Sequence, residues 1–332
     1  MTIKQKIFLI IITSIYLFGQ NLPRSASYVS DDKISIVYIS DLNLYNTPSQ
    51  NQLEKHILEK RFGVLVYESQ AIFQEIIKYI NQKLDPEIVI FGGNNISDLR
   101  KDENLWTLFL DMVSEIKGDI FMNLGTNEIK AYNTDELLQS LKTFDSQRNT
   151  LWHLRKIKNY LFIGLDSVSL FDNPKLSKEQ LQWFLSTLSQ NQNVVTVVSL
   201  HYPLLGSEGE IINNSVVKRI TEIISVNPQI KLVLSGGGYF NRVHLLNGCV
   251  FVNAPSPVVY PCSFKVIELL PGRIKIKTVN ILLKGIIKKA LKSAQDAEVF
   301  KAKLPLNQIK SYLLGKNQDL QFNYSFSDLK NR

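Results

Sequence analysis

The chain has 332 residues, of which 45% are hydrophobic and 20% charged, with two cysteines and ordinary glycine and proline usage. That composition supports a sizeable core and excludes a disordered, collagen-like or disulfide-built protein. The formal net charge of +8 would suit nucleic acid or an anionic surface. The lysines are scattered, however, without zinc-finger, basic-zipper or aromatic RNA-binding spacing, so no nucleic-acid partner is expected.

In chain order, Lys4 and Lys6 precede an apolar run from Ile7 to Phe18, then a polar stretch to Pro23 and the small residues Ser25, Ala26 and Ser27. This is the layout of a secretory signal over residues 1–27, and the run is short for a hydrocarbon core of ~30 Å. An uncleaved N-terminal anchor is the alternative. Either reading makes the protein exported: periplasmic, extracellular or anchored facing outward.

Lys33 to Ile39 reads as a first strand ending at Ser40-Asp41, followed by a polar loop from Leu44 to Gln52. Phe73, Ile76, Ile77 and Ile80 form a helical stripe over 71–84. Asp85-Pro86 stops it, and Ile88 to Phe91 is the second strand, running into Gly92-Gly93. A helix over 104–116, a strand over 119–124 and a strand over 160–165 continue the rhythm. Ser177 with Gln180 predicts a capping box for a helix carrying Leu181, Trp183, Phe184, Leu185 and Leu188. A strand over 194–200, a helix over 216–224 and a strand over 230–234 follow. Strands alternating with helices predict a parallel sheet with crossover helices.

From Val243 the runs are short and without helices between them: 243–246, 250–253, 263–270 and 274–279. They are expected to pair antiparallel, with Pro271-Gly272 as a hairpin turn. Cys249 and Cys262 are two buried free thiols or, in an exported protein, a disulfide. The tail reads as helical from Leu283 to about Lys303 and irregular to Arg332. The expected division is a domain over 33–282 and a basic extension over 283–332. Its lysines (Lys284, Lys288, Lys289, Lys292, Lys301 and Lys303) and the N-terminal segment are candidate attachment signals for a membrane surface.

Five loops follow the apolar runs, where a parallel sheet delivers functional side chains. They read Ser40-Asp41-Leu42-Asn43, Gly92-Gly93-Asn94-Asn95, Gly125-Thr126-Asn127-Glu128, Leu200-His201-Tyr202-Pro203 and Ser235-Gly236-Gly237-Gly238-Tyr239. Asp41 reads as a metal ligand or an Asx-turn former; His201 reads as a ligand of one ion or a histidine bonded to the sheet edge. The three glycines suit an anion-cradling nest or a permissive turn. Asn94, Asn95, Thr126 and Asn127 form a neutral polar cluster, able to take a small polar ligand or to satisfy one another and water. No Gly-x-Ser-x-Gly elbow and no paired carboxylates for glycoside chemistry are present at these loops.

In order and context the five loops resemble those of the calcineurin-like metallophosphoesterases. Asp85-Pro86-Glu87-Ile88-Val89, Gly164-Leu165-Asp166-Ser167, the run from Leu176 to Trp183 and Tyr260-Pro261-Cys262-Ser263-Phe264 add to the likeness, which covers Lys33 to Val279. The resemblance implies an α/β fold, a four-layer αββα sandwich with two mixed β-sheets. It also implies phosphoester hydrolysis on two cations about 3.5–4 Å apart, held by Asp-x-His, Gly-Asp, Gly-Asn-His, a lone His and Gly-His-x-His.

Carried over residue by residue, only Asp41 and His201 stand at ligand positions with a ligand's side chain. Asn43 replaces a His, and Asn94 replaces the bridging Asp, or Gly93 does if the register is one residue earlier. Thr126 replaces an Asn ligand, and Gly237 and Tyr239 replace the last two histidines. Asn127 takes the place of the His that assists the leaving group, and Tyr202 that of a second His beside His201. The chain has four histidines, and His56, His153 and His244 lie away from these loops, so no shift of register restores the set. The expectation is no cofactor, or at most one weakly bound divalent ion of Mn, Fe or Zn. An exported protein that binds or scaffolds is one expectation; the alternative is an active phosphodiesterase with a reduced metal site.

Overall fold

The computed structural model describes residues 32–46, 52–97, 103–172 and 174–327. The expected export signal lies outside the described residues. Strands β1 (Ile34–Ile39), β2 (Ile88–Gly92) and β3 (Asp119–Asn123) run parallel. β10 (Ser263–Leu270), β11 (Arg273–Asn280) and β12 (Gln321–Ser325) extend that sheet antiparallel in the order β12-β11-β10-β1-β2-β3. The second sheet has β4 (His153–Ile157), β5 (Tyr160–Leu165), β6 (Val195–Leu200), β7 (Ile230–Ser235), β8 (Arg242–Leu246) and β9 (Cys249–Asn253), in the order β4-β5-β6-β7-β9-β8.

Strand side chains alternate between faces, and the cores divide accordingly. Ile34, Ile36 and Tyr38 of β1 meet Leu232 and Leu234 of β7 in a core between the sheets. Val37 and Ile39 face the other way, onto α2 (Ser69–Tyr79) and α3 (Glu103–Ser114) through Phe73, Ile76 and Phe109. Val233 of β7 packs outward with Phe184 and Leu188 of α7 (Pro174–Gln190) and Ile220 of α8 (Ser215–Val226). Three cores make four layers, helices over sheet over sheet over helices, which is the expected sandwich.

Several local expectations are corrected. β8–β9 and β10–β11 are antiparallel pairs, the latter turning at Pro271-Gly272. The two pairs join different sheets, however, and β9 lies parallel to β7. β9 is buried on both faces, and such a strand belongs inside a sheet. α7 begins at Pro174, so Ser177 is not its N-cap. The Gln180 side chain instead brackets Asp166, accepting from its backbone N–H at 2.9 Å and donating to its carbonyl at 3.1 Å. α1 (Gln52–Phe62) lacks an apolar stripe, and β4 is a short polar edge strand; neither was anticipated. Cys249 and Cys262 are free, buried in different cores.

The tail is more ordered than its sequence suggests. α9 (Ile286–Asp296) buries Ile286, Ala290 and Ala294, and its Lys289 pairs with Glu68. α10 (Glu298–Lys301), α11 (Leu306–Leu314) and α12 (Asn317–Leu320) lead into β12, where irregular chain was expected. The segment is tied in by buried polar groups. Asn241 donates its backbone N–H to Leu313 O at 3.2 Å and its carboxamide to Leu314 O at 2.9 Å. Lys265, wholly buried on β10, donates to Asp319 O at 2.7 Å and Thr278 Oγ1 at 3.0 Å. The Asp319 carboxylate accepts from the backbone N–H groups of Val243 and Lys316, each at 2.7 Å. Burial pulls the Lys265 ammonium down to about 7, with Asp319 opposing the shift.

Candidate functional site

The seven parallel strands of the two sheets (β1, β2 and β3; β5, β6, β7 and β9) deliver their following loops to one edge of the sandwich. Five of the loops interlock around Asp41, which is fully buried at the end of β1. Its Oδ2 accepts from Ser40 Oγ at 2.8 Å and from the Gly237 backbone N–H at 2.7 Å; its Oδ1 accepts from Asn94 Nδ2 at 3.4 Å. Ser256 Oγ anchors the Asp41 carbonyl at 2.7 Å. Asp41 forms no Asx-turn: the Asn43 N–H goes to Asn94 O at 2.9 Å. The glycine run therefore presents a backbone N–H to the chain's own carboxylate. It can do so because position 236 is glycine, where a Cβ would lie 1.7 Å from Ser40 Oγ.

The asparagines form a second layer. Asn127 donates its backbone N–H to Asn94 Oδ1 at 3.1 Å, and its carboxamide to Asn43 Oδ1 at 3.3 Å and Ile96 O at 2.7 Å. Thr126 Oγ1 and the Tyr202 hydroxyl share a hydrogen bond of 2.7 Å. The Tyr239 phenol bonds to Asn43, and burial with the nearby Asp41 charge pushes its pKa well up, keeping it neutral. Asp41, Asn43, Asn94 and Tyr239 all have positive φ, at 56°, 45°, 49° and 58°. Asn and Asp tolerate this conformation, whereas a tyrosine there is strained.

Glu128 holds the second and third loops together. It is fully buried near the N-terminus of α4 (Thr126–Ala131). One oxygen accepts from Asn95 N at 2.6 Å and Ile96 N at 3.0 Å; the other accepts from Gly125 N at 2.7 Å and Asn94 N at 3.1 Å. Burial pushes the carboxyl up, against the pull of these N–H groups and of His201. His201, 1% exposed, donates Nδ1–H to Gly92 O at 2.9 Å. Its backbone N–H and that of Tyr202 both donate to Ser167 Oγ, at 3.1 and 3.0 Å.

All nine residues singled out in the sequence (Asp41, Asn43, Asn94, Thr126, Asn127, His201, Tyr202, Gly237 and Tyr239) lie on these loops at one edge. The other histidines lie elsewhere: His56 on α1, His153 stacked on Phe121 at 4.1 Å, and His244 on β8. The sequence assigns no part to Ser40, Ser167, Ser256 or Glu128, although all four act at this edge. Serines carry no pattern that marks them; Glu128 stood in a quoted motif, and its isolation among neutral residues was the available signal. Among the described residues no group of three or more His, Cys, Asp or Glu side chains is placed to hold a metal ion.

Two mixed sheets, flanking helices and loops gathered at one edge make up the metallophosphoesterase fold. No family model matches the chain. A curated relative, the 3',5'-cyclic adenosine monophosphate phosphodiesterase CpdA of Haemophilus influenzae, is 22% identical over 275 residues, covering 80% of this chain and 92% of the relative. A dimetal phosphatase from Danio rerio has the same fold, with a TM-score of 0.57, 12% identity, and coverage of 76% of this chain and 98% of that one. So does GAP50, described as the anchor in the inner membrane complex of Plasmodium, with a TM-score of 0.53, 15% identity, and coverage of 86% and 96%.

Proposed function

We propose that this is an exported metallophosphoesterase-fold protein that has lost the two-metal centre and serves in binding or scaffolding. The carrying observation is the state of Asp41, whose oxygens are taken up by Ser40, Gly237 and Asn94. Two divalent ions held close together repel strongly and need several anionic ligands, one of them bridging. With the Glu128 carboxylate closed off by four backbone N–H groups, these loops offer one further carboxylate, itself already hydrogen-bonded, and one imidazole. The donor set does not fit two ions. Asn43, Asn94 and Asn127 bond to one another, as do Thr126 and Tyr202, so the edge is a closed neutral network. A scaffolding role has a parallel in the Plasmodium protein described as an anchor.

A second reading is favoured by His201. A histidine that ligates a metal commonly donates its other ring N–H to a backbone carbonyl, and His201 Nδ1 meets Gly92 O in that way. Nε2 then faces the fifth loop, 3.7 Å from where a side chain at 237 would begin. One Mn, Fe or Zn ion on His201 and Asp41 would support phosphodiester hydrolysis. The two readings separate in an assay of the full chain with bis(p-nitrophenyl) phosphate and cyclic AMP in the presence of Mn²⁺. The proposal predicts rates at the buffer background. Turnover that disappears in the double variant Asp41→Ala/His201→Ala would establish the hydrolase instead.

A further inference from the structure

Beside the fifth loop lies a cavity of about 240 Å³ that the polar network does not use. Its walls come from separate parts of the chain: Phe62 at the end of α1, Tyr239 and Phe240 on the fifth loop, Phe300 and Leu304 around α10, and Tyr312 on α11. The rings surround it in pairs, Phe62 with Tyr239 at 6.3 Å between centroids and Phe240 with Tyr312 at 5.7 Å. Protein interiors seldom leave such volume between aromatic side chains, because the lining atoms forgo contacts. Ligand pockets pair such apolar walls with a few polar groups, here the Gly237-Gly238 backbone and Lys303. The room here suits a substituted ring or a short alkyl chain.

The charged groups around the cavity are the cations Lys303, Arg61 and Arg242, with Asp41 on the Tyr239 side and Glu208 and Glu210 on the Tyr312 side. Lys303 is on its lining, exposed, and has no acidic partner among the described residues. Arg61 lies 5.2 Å from the centre of the Phe62 ring. Behind the opposite wall the Arg242 guanidinium lies 5.8 Å from the Phe240 ring and 5.5 Å from the Tyr312 ring. Arg242 is 5% exposed, and its bonds go to the carbonyls of Ser207, Asn241 and Tyr312 at 2.8–2.9 Å, with no carboxylate in ion-pair range among the described residues. A buried guanidinium bonded only to neutral oxygens leaves a positive field at the aromatic wall. The nearest acids felt by Tyr312 are Glu208 and Glu210, on the turn after β6.

We infer that this cavity binds a small amphipathic carboxylate, its apolar body among the rings and its anionic head at Lys303. The site shares the fifth loop with the polar network but needs neither a metal nor a ligand there. Its failure would therefore leave the proposed function standing, and the reverse holds too.

Saturation-transfer NMR on the full chain with 3-phenylpropionate, against neutral 3-phenyl-1-propanol, tests the inference. The acid should bind saturably and more tightly than the alcohol by about threefold to tenfold, as one unpaired rim cation with a second behind the wall would give. Lys303→Gln should remove most of that difference, and Leu304→Trp, which fills the cavity, should abolish binding of both. If Leu304→Trp does not fold, Val299→Trp fills the same space from the neighbouring wall. No saturable binding by the folded chain, equal binding of acid and alcohol, or binding untouched by a folded cavity-filling variant would overturn it.

Discussion

Glu128→Ala should lower the free energy of unfolding by about 3–5 kcal/mol, the largest single loss expected anywhere near the loops. The wild-type carboxylate accepts four backbone N–H groups from two loops. Alanine leaves all four donors without an acceptor in a site that water does not reach. Glu128→Gln keeps one acceptor oxygen but turns an NH2 toward N–H donors, so its loss should be roughly half as large. Urea denaturation of both variants, with the exposed Glu222→Ala as a control expected within ~0.5 kcal/mol of wild type, checks this. A Glu128→Ala loss below 1 kcal/mol would mean that the loops are not held by this side chain.

The second large effect depends on pH. Lys265 in the folded protein titrates at about 7, whereas an unfolded lysine titrates near ~10.4. Between those values the unfolded chain holds the proton that the folded chain has released. Stability should therefore rise with pH from about 7 to about 10, by up to ~1.4 kcal/mol per unit. Below pH ~7 both states are protonated and the contribution of this group levels off at its least favourable. Lys265→Met keeps the bulk of the side chain and removes the titration; Asp319 O retains its bond from Thr278 Oγ1 at 2.9 Å. The difference in unfolding free energy between wild type and Lys265→Met, measured from pH 6.5 to 9.5, should move steadily in favour of wild type. A difference that stays constant across that range would show that Lys265 is not buried against α12 as described.

The sandwich was legible because its central strands are continuous apolar runs and its crossover helices carry clear stripes, as in Phe73, Ile76 and Ile77 of α2. The edges were not. β4 exposes two of its five residues, and β12 has only Phe322 and Tyr324 to mark it, both half-buried. Its place beside β11 is fixed by long-range bonds such as Lys265 to Asp319, which no local pattern announces. At the loops, residue types alone located Asp41, His201 and the asparagines. They could not reveal that Gly237 would donate to Asp41. That contact spans 196 residues of sequence and depends on the absence of a side chain at Gly236. The joining of the C-terminal helices to the fifth loop, which creates the cavity, is of the same kind: each wall is unremarkable by itself.

Calorimetric titration of the full chain with Mn²⁺ and Zn²⁺, backed by elemental analysis of the purified protein, tests the proposed loss of the two-metal centre most directly. With one carboxylate already bonded to Ser40 and Gly237, and one imidazole, binding tighter than about 100 μM is not expected. Two ions per chain, held at micromolar affinity or better and lost in Asp41→Ala, would contradict the proposal and restore a working hydrolase site.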